Sequence, residues 1–394
     1  MDKKYVSYYL KGYLNEYINN IELLKYQKFN GSFRSYKLML AFRYLGLKQV
    51  YIESRSIFVS LGICDVIFTY LMLFIRLISS FVLKLSIPTN NLPKGELLML
   101  GIAPFTTYTK GVLKNEFKSK HVLCHIPFTP KEISEKSLNI LSCLSYVDLL
   151  SAFWASCKLS SFMALKYFKR DFLFRSHSSY EFFLTCLFVK KVEFNNTFIS
   201  CEIINRWAFL MLNLNTHKIF IQHGKTQCTH YIKVGTPDVA YFMNNEQMVV
   251  HDEFIFKQKP KVAKVVKVFE YSGCECLLNN GKKDVMIVCN TLFIDDERTI
   301  LELLSDLDIN LYLKTHPLTK TIAGYENMRN IRPFSYVPKE SFPKVDCVIS
   351  YESTLADEYK SVGAFVVLYD KLEKLDQLRE IIINIIKGIS YGNI

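Results

Sequence analysis

"VMIVCNTLFIDDERTILELLSDLDINLYLKTHP" spans Val285–Pro317, and its three parts decide the architecture. The opening run, "VMIVCN" (Val285–Asn290), is short, apolar and β-branched, with no alternation to leave one face for water. That is the pattern of a strand buried on both faces. "DDERTILELLSDL" (Asp295–Leu307) then carries acidic residues in its first turn, where a helix dipole favours them. "INLYLKTHP" (Ile309–Pro317) returns to a strand that Pro317 ends. The alternation continues with "VDCVISY" (Val345–Tyr351), a helix from about Leu355, and "AFVVLYD" (Ala364–Asp370).

The same alternation lies on the amino-terminal side. "ELLMLGIAP" (Glu96–Pro104), "HVLCHIPF" (His121–Phe128), "KIFIQHG" (Lys218–Gly224) and "DVAYFM" (Asp238–Met243) read as strands. A long helical region containing "EIINRWAFLMLNL" (Glu202–Leu214) separates the second from the third, and residues 1–90 read as helices. The polar stretch from about 250 to 282 contains "KQKPKVAKVVK" (Lys257–Lys267) and reads as a basic linker. The expectation is an α/β protein of two Rossmann-like domains, with parallel sheets facing across a cleft. The boundaries are 1–250 for the acceptor side, 251–282 for the linker and 283–394 for the nucleotide side. Ligands of open parallel sheets bind at the carboxyl ends of strands.

A chain of 394 residues is too long for one ordinary core, and 50% hydrophobic with 14% aromatic residues excludes disorder. The net charge of +12 suits anionic partners, and residues 1–50 hold nine Lys/Arg against three Asp/Glu. The lysine-rich run lacks interleaved aromatics apart from Phe269 at its end, which argues against nucleic acid. Eleven cysteines show no metal-ligand spacing, "CEC" (Cys274, Cys276) being too tight. Reduced thiols and a polar, aromatic start without a cleavable signal predict a cytoplasmic protein. "IFVSLGICDVIFTYLMLFI" (Ile57–Ile75) is long enough to span a bilayer, but Asp65 near its middle would cost roughly 3 kcal/mol. With the basic amino terminus, it predicts peripheral attachment to an anionic inner membrane surface.

Three motifs sit at expected strand ends. In "LKTHPLTK" (Leu313–Lys320), Pro317 holds His316 extended, and Lys314 and Lys320 surround the imidazole with positive charge. In "ISYESTLADEYKSVGA" (Ile349–Ala364), Ser353 or Thr354 caps a helix that Gly363 stops, and Thr354 with Asp357 matches a capping box. Two hydroxyls at a helix N-terminus also suit a phosphate. In "KIFIQHG", Gly224 permits a turn that presents His223, either as a general base or as a satisfied core histidine. No G-x-G-x-x-G or Walker pattern occurs, and "DLD" (Asp306–Asp308) reads as a turn.

The order Gln222-His223-Gly224, then Lys314-x-His316-Pro317, then Ser353-Thr354 resembles bacterial GT-B glycosyltransferases of surface-polysaccharide synthesis. It is similar to sialyltransferases and Kdo-transferases with HP and S/T motifs, and to CDP-glycerol glycerophosphotransferases. The likeness covers about residues 215–370. It implies that Lys314, His316, Pro317, Ser353 and Thr354 hold the donor phosphate and that His316 stabilises the leaving nucleotide. His223 becomes the base or an acceptor-positioning group, with Gln222, Gly224 and Lys225 on the acceptor side. Two departures stand out: sialyltransferases carry an acidic pair where this chain has Gln222-His223, and the glycerophosphotransferase pattern reads HGTP. The implied donor is a CMP-activated acidic sugar, with CDP-glycerol, CDP-ribitol or a UDP-sugar as alternatives. The implied acceptor is a capsule, O-antigen or lipopolysaccharide chain, and the implied reaction needs no metal. Should His223 be structural, Asp171, Glu202 and Asp238 are the carboxylates left as bases.

Overall fold

The computed structural model describes residues 2–26, 62–101, 106–125, 137–167, 178–226, 230–278, 280–289, 293–315 and 323–388. The described residues divide into two compact units, one running to Val268 and the other from Phe269 onward. His316, Pro317, Lys320 and Asp171 are likewise outside the described residues, as is the beginning of the Ile57–Ile75 segment.

The first unit holds seven strands: β1 (Leu97–Gly101), β2 (Val122–His125), β3 (Leu138–Asn139), β4 (Thr197–Ser200), β5 (Lys218–Ile221), β6 (Val239–Phe242) and β7 (Val262–Val265). Their order is β3-β2-β1-β4-β5-β6-β7, and every pairing is parallel. The first six follow the 3-2-1-4-5-6 order of a Rossmann sheet, so the strand order reverses between β1 and β4. Its helices are α1 (Lys3–Tyr26), α2 (Gly62–Ser86), α3 (Thr107–Phe117), α4 (Tyr146–Tyr167), α5 (Ser179–Val192), α6 (Arg206–Met211) and α7 (Asn245–Val250).

Two strands depart from the sequence expectation. β4 lies inside the region read as helical, and it is central in the sheet. β7 lies inside the stretch read as a linker, where all four of its side chains are exposed. Its lysine-bearing "VAKV" suits the outer edge of a sheet, because charge there blocks pairing with another chain. Residues 251–268 therefore complete the first unit, and the boundary falls at Val268–Phe269.

The second unit repeats the topology. β8 (Lys283–Cys289), β9 (Ile309–Thr315), β10 (Ser335–Tyr336), β11 (Cys347–Ser350) and β12 (Val366–Leu368) are parallel in the order β10-β9-β8-β11-β12. Helices α8 (Ile294–Leu303), α9 (Ala323–Glu326), α10 (Thr354–Ser361) and α11 (Asp376–Ile386) join or flank them. Val285, Ile287, Leu311, Leu313 and Ile349 are buried against α8 and α11 on one face. Met286, Tyr312 and Val348 are buried with Tyr359 of α10 on the other. Coverage of both faces is why these strands show no polar alternation. Asp306 of the "DLD" turn pairs with Arg379 at 2.5 and 2.7 Å, and Asp308 with Lys282, so the motif is a salt-bridged surface turn.

Candidate functional site

The first unit places chemistry-bearing side chains just beyond the carboxyl ends of β2, β4 and β5. Gln222, buried, follows β5 directly. Its amide nitrogen donates to Gly224 O at 2.9 Å and to Gln247 Oε1 at 3.0 Å, while its oxygen accepts from Met243 N at 3.0 Å. Gln247 Oε1 also accepts from Thr226 N at 2.8 Å. Thr226 Oγ1 lies 3.3 Å from Nε2 of His251, whose Nδ1 is 2.7 Å from Gln247 O. This buried network pins the turn at residues 222–226 to α7, and every partner in it is a neutral group. His251 is fully buried among the rings of Phe220, Phe242 and Phe256, and burial holds its pKa down to about 4. It is the satisfied core histidine of the region.

His223 is different. It stands in the pinned turn, half-buried, and no hydrogen bond to its ring occurs among the described residues. Burial lowers its pKa from the ordinary histidine value, because desolvation disfavours the imidazolium. The ring is therefore neutral at pH 7 and able to accept a proton. Gly224 and Lys225 flank it and are also half-buried.

Glu202 follows β4, the neighbouring strand, whose Ser200 is in register with Phe220 of β5. Its carboxylate accepts from Asn205 Nδ2, and burial raises its pKa above the ordinary value. Asn205 also caps α6, accepting from Trp207 N at 3.0 Å and Ala208 N at 3.2 Å. α1 packs against this cap: a Cβ on Gly12 would meet Arg206 N at 2.1 Å, and Arg206 pairs with Glu16 at 2.9 Å. His125 ends β2, with Nδ1 2.8 Å from Ser137 Oγ and a pKa lowered by burial. Asp238, by contrast, precedes β6, at the opposite end of the sheet. It accepts from Lys218 N, pairs with Lys218 and Lys261, and has its pKa held at about 2, so it is no general base.

In the second unit, β11 ends at Ser350, beside the reversal of strand order between β8 and β11. Ser350 Oγ donates to Tyr351 O at 2.7 Å and lies 3.0 Å from Ser353 Oγ. Ser353 is the N-cap of α10, accepting from Ala356 N at 3.1 Å. Thr354 is thus the first helical residue rather than the cap, and the capping box expected from Thr354 and Asp357 is replaced by this serine cap. Gly363 stops the helix in the left-handed region at φ +81°, with its N–H bonded to Lys360 O at 3.0 Å.

Lys314 does not stand free at the end of β9. It is buried, and its ammonium donates to the carbonyls of Pro338, Lys339 and Ser341 at 3.0, 3.1 and 2.7 Å, over the face of Phe342. Burial lowers its pKa to about 8. All three N–H groups are taken up in holding the 338–341 loop, so Lys314 is corrected from a phosphate ligand to a loop anchor. Glu358 takes no part in the capping pattern of its sequence motif. It sits on α10 with its carboxyl buried, Oε1 lacks a partner among the described residues, and burial pushes its pKa up to about 7. Its only signal was a carboxylate between the inward-facing Ala356 and Tyr359.

No protein-family profile matches the chain, and no curated protein matches it. Among solved structures it is similar to the wall teichoic acid polymerase TagF with CDPG, at 11% identity and TM-score 0.41, covering 81% of this chain and 88% of that one. It is also similar to the spinosyn rhamnosyltransferase SpnG (8% identity, TM-score 0.40, 72% of this chain and 82% of that one). A third is MurG of Acinetobacter baumannii (11%, TM-score 0.36, 75% and 93%). At such identities and TM-scores, none of these likenesses assigns a substrate or a residue role to this chain.

Proposed function

We propose that the chain is a GT-B glycosyltransferase that transfers a group from a cytidine-nucleotide donor to a surface-glycan acceptor, at the cytoplasmic face of an anionic membrane. The observation that carries this reading is His223, a neutral imidazole without a ring hydrogen bond among the described residues, held by a buried network at the end of a Rossmann strand. A histidine so placed accepts the proton of an acceptor hydroxyl. The oxygen then attacks the anomeric carbon, the bond from that carbon to the donor phosphate breaks, and CMP leaves carrying the electron pair. The Ser353-capped start of α10 supports the phosphate side, since first-turn N–H groups, the dipole and the Thr354 hydroxyl favour an anion. His316 and Pro317 join that side in the proposal. Gln222, buried, acts on the acceptor side only by holding the turn from within, and Gly224 and Lys225 shape that side.

The first donor reading is a CMP-activated acidic sugar. CDP-glycerol or CDP-ribitol is the second, favoured by Gln222-His223-Gly224 standing where sialyltransferases carry an acidic pair. There the hydroxyl attacks the distal phosphorus, and CMP again leaves. In both readings no metal takes part, the helix terminus supplying positive charge to the leaving phosphate. The test is CMP release from each donor with a lipid-linked glycan acceptor, with and without EDTA. Release from one donor, undiminished by EDTA, is expected. Release from none, or only after Mg²⁺ or Mn²⁺ is added, contradicts the reading.

A further inference from the structure

Two helices of the first unit turn apolar side chains outward. On α2, Ile67, Leu71, Phe74, Ile78, Val82 and Leu85 are between 48% and 78% exposed. Their spacing of three and four residues sets them in one stripe. On α4, Val147, Leu150 and Trp154 follow the same spacing, Leu165 lies eleven residues further on the same side, and all four are 50% to 87% exposed. The helices lie antiparallel: the rings of Phe81 and Tyr146 stack at 5.2 Å, and Tyr70 Oη is 2.6 Å from Ser161 Oγ. These contacts run along one flank of each stripe, so the two stripes adjoin in a single apolar surface. Soluble monomers rarely expose large contiguous apolar patches, and those that do commonly use them to bind a partner or a membrane.

We infer that this two-helix face docks in the plane of an anionic phospholipid bilayer. The inference deepens the membrane part of the proposed function and is independent of the transfer reaction. Charge points to the occupant. Among the side chains described on the two helices, Arg76 and Lys84 turn inward, which leaves Lys158 as the cation on the face, and the one carboxylate, Asp148, is already paired with Lys191 at 2.6 Å. Lys158 is exposed four residues after Trp154, within the α4 stripe, where a lysine stem lies along apolar surface and its ammonium reaches phosphate. An exposed tryptophan beside it suits the headgroup boundary. The +12 charge of the whole chain adds attraction to such a surface.

In-plane docking is favoured over spanning by the opposite face of α2. By length and composition Thr69–Ser86 is apolar enough to cross a membrane, with mean hydropathy 1.5. Its inner side, however, buries Leu73 and Leu77 in the core, pairs Arg76 with Glu181 of α5, and donates from Lys84 to Leu141 O at 3.0 Å. A spanning helix would have to break these contacts.

The experiment uses the full chain with vesicles of phosphatidylcholine, alone or containing phosphatidylglycerol. Trp154 is one of two tryptophans, and the other, Trp207, is buried, so emission reports on the face. Anionic vesicles should shift that emission to the blue and carry the protein upward in flotation. Leu71→Glu with Val82→Glu should weaken binding at least about tenfold, with an unchanged melting point, because both positions are exposed. Lys158→Glu should weaken binding to the anionic vesicles alone. Unshifted emission, or undiminished binding by the double variant, overturns the inference. So does equal binding to phosphatidylcholine alone, or a double variant that loses only self-association, since the occupant would then be a second copy of the chain.

Discussion

His223 and His251 are both on or near the same turn, yet they face different chemistry. His251 has both ring nitrogens within hydrogen-bond distance of partners and three aromatic neighbours, whereas His223 has burial alone acting on its pKa. A base works in its neutral form, and a lowered pKa extends that form to pH values below the ordinary 6.5. Turnover should therefore stay level through neutrality and fall only as acid titrates the ring. His223→Ala should lower the catalytic rate by about 10²–10⁴-fold without changing the melting point. Normal turnover by a folded His223→Ala protein would make the residue structural, and Glu202 beyond β4 would be the carboxylate to examine. At this scale the sequence was partly legible. Ser353 and Gly363 announced their caps through residue type. Lys314 did not, because the three carbonyls that bind it come from residues 338–341, brought to it only by the folded loop.

The turn that carries His223 depends on the helix behind it. Because the Gln222, Gln247, Thr226 and His251 network is buried, a lost partner leaves a polar group without water, at about 1–3 kcal/mol each. Gln247→Leu should lower the melting point and, by loosening the turn, the turnover. His251 links this element to pH. Its folded pKa of about 4 is below the unfolded value of 6.5, so the unfolded chain binds the extra proton between them. The stability is complete above 6.5 and is lost as pH falls toward 4, by roughly 3 kcal/mol. His251→Phe should flatten that part of the stability–pH curve in denaturant melts; an unchanged curve would exclude His251 as its source. Which elements the sequence revealed follows from burial. β5, β8, β9 and β11 are runs of buried apolar residues and were recognisable as such. β7, exposed along its whole length and lysine-bearing, reads as linker because only its hydrogen bonds to β6 make it a strand. β4 offers just "TFIS" close behind the apolar α5, so the helical pattern masks it.

At the scale of the molecule, the proposal divides labour between two Rossmann-like units, one supplying a base and the other an anion site. In chain order His223 precedes and Ser353-Thr354 follows the boundary at Val268–Phe269, so the two proposed roles fall on different units. The division makes a separable claim about binding and turnover, because a ligand raises the melting point of whichever protein still binds it. The direct measurement is a thermal-shift series with CMP, CDP, UDP and GDP on the wild type, on His223→Ala and on Ser353→Ala with Thr354→Ala. The double variant should lose about 0.5–2 kcal/mol with its cap. Beyond that, a cytidine nucleotide should raise the melting point of the wild type and of His223→Ala alike, and fail to raise that of the double variant. A shift that survives in the double variant and vanishes in His223→Ala would put the nucleotide on the wrong unit and contradict the account.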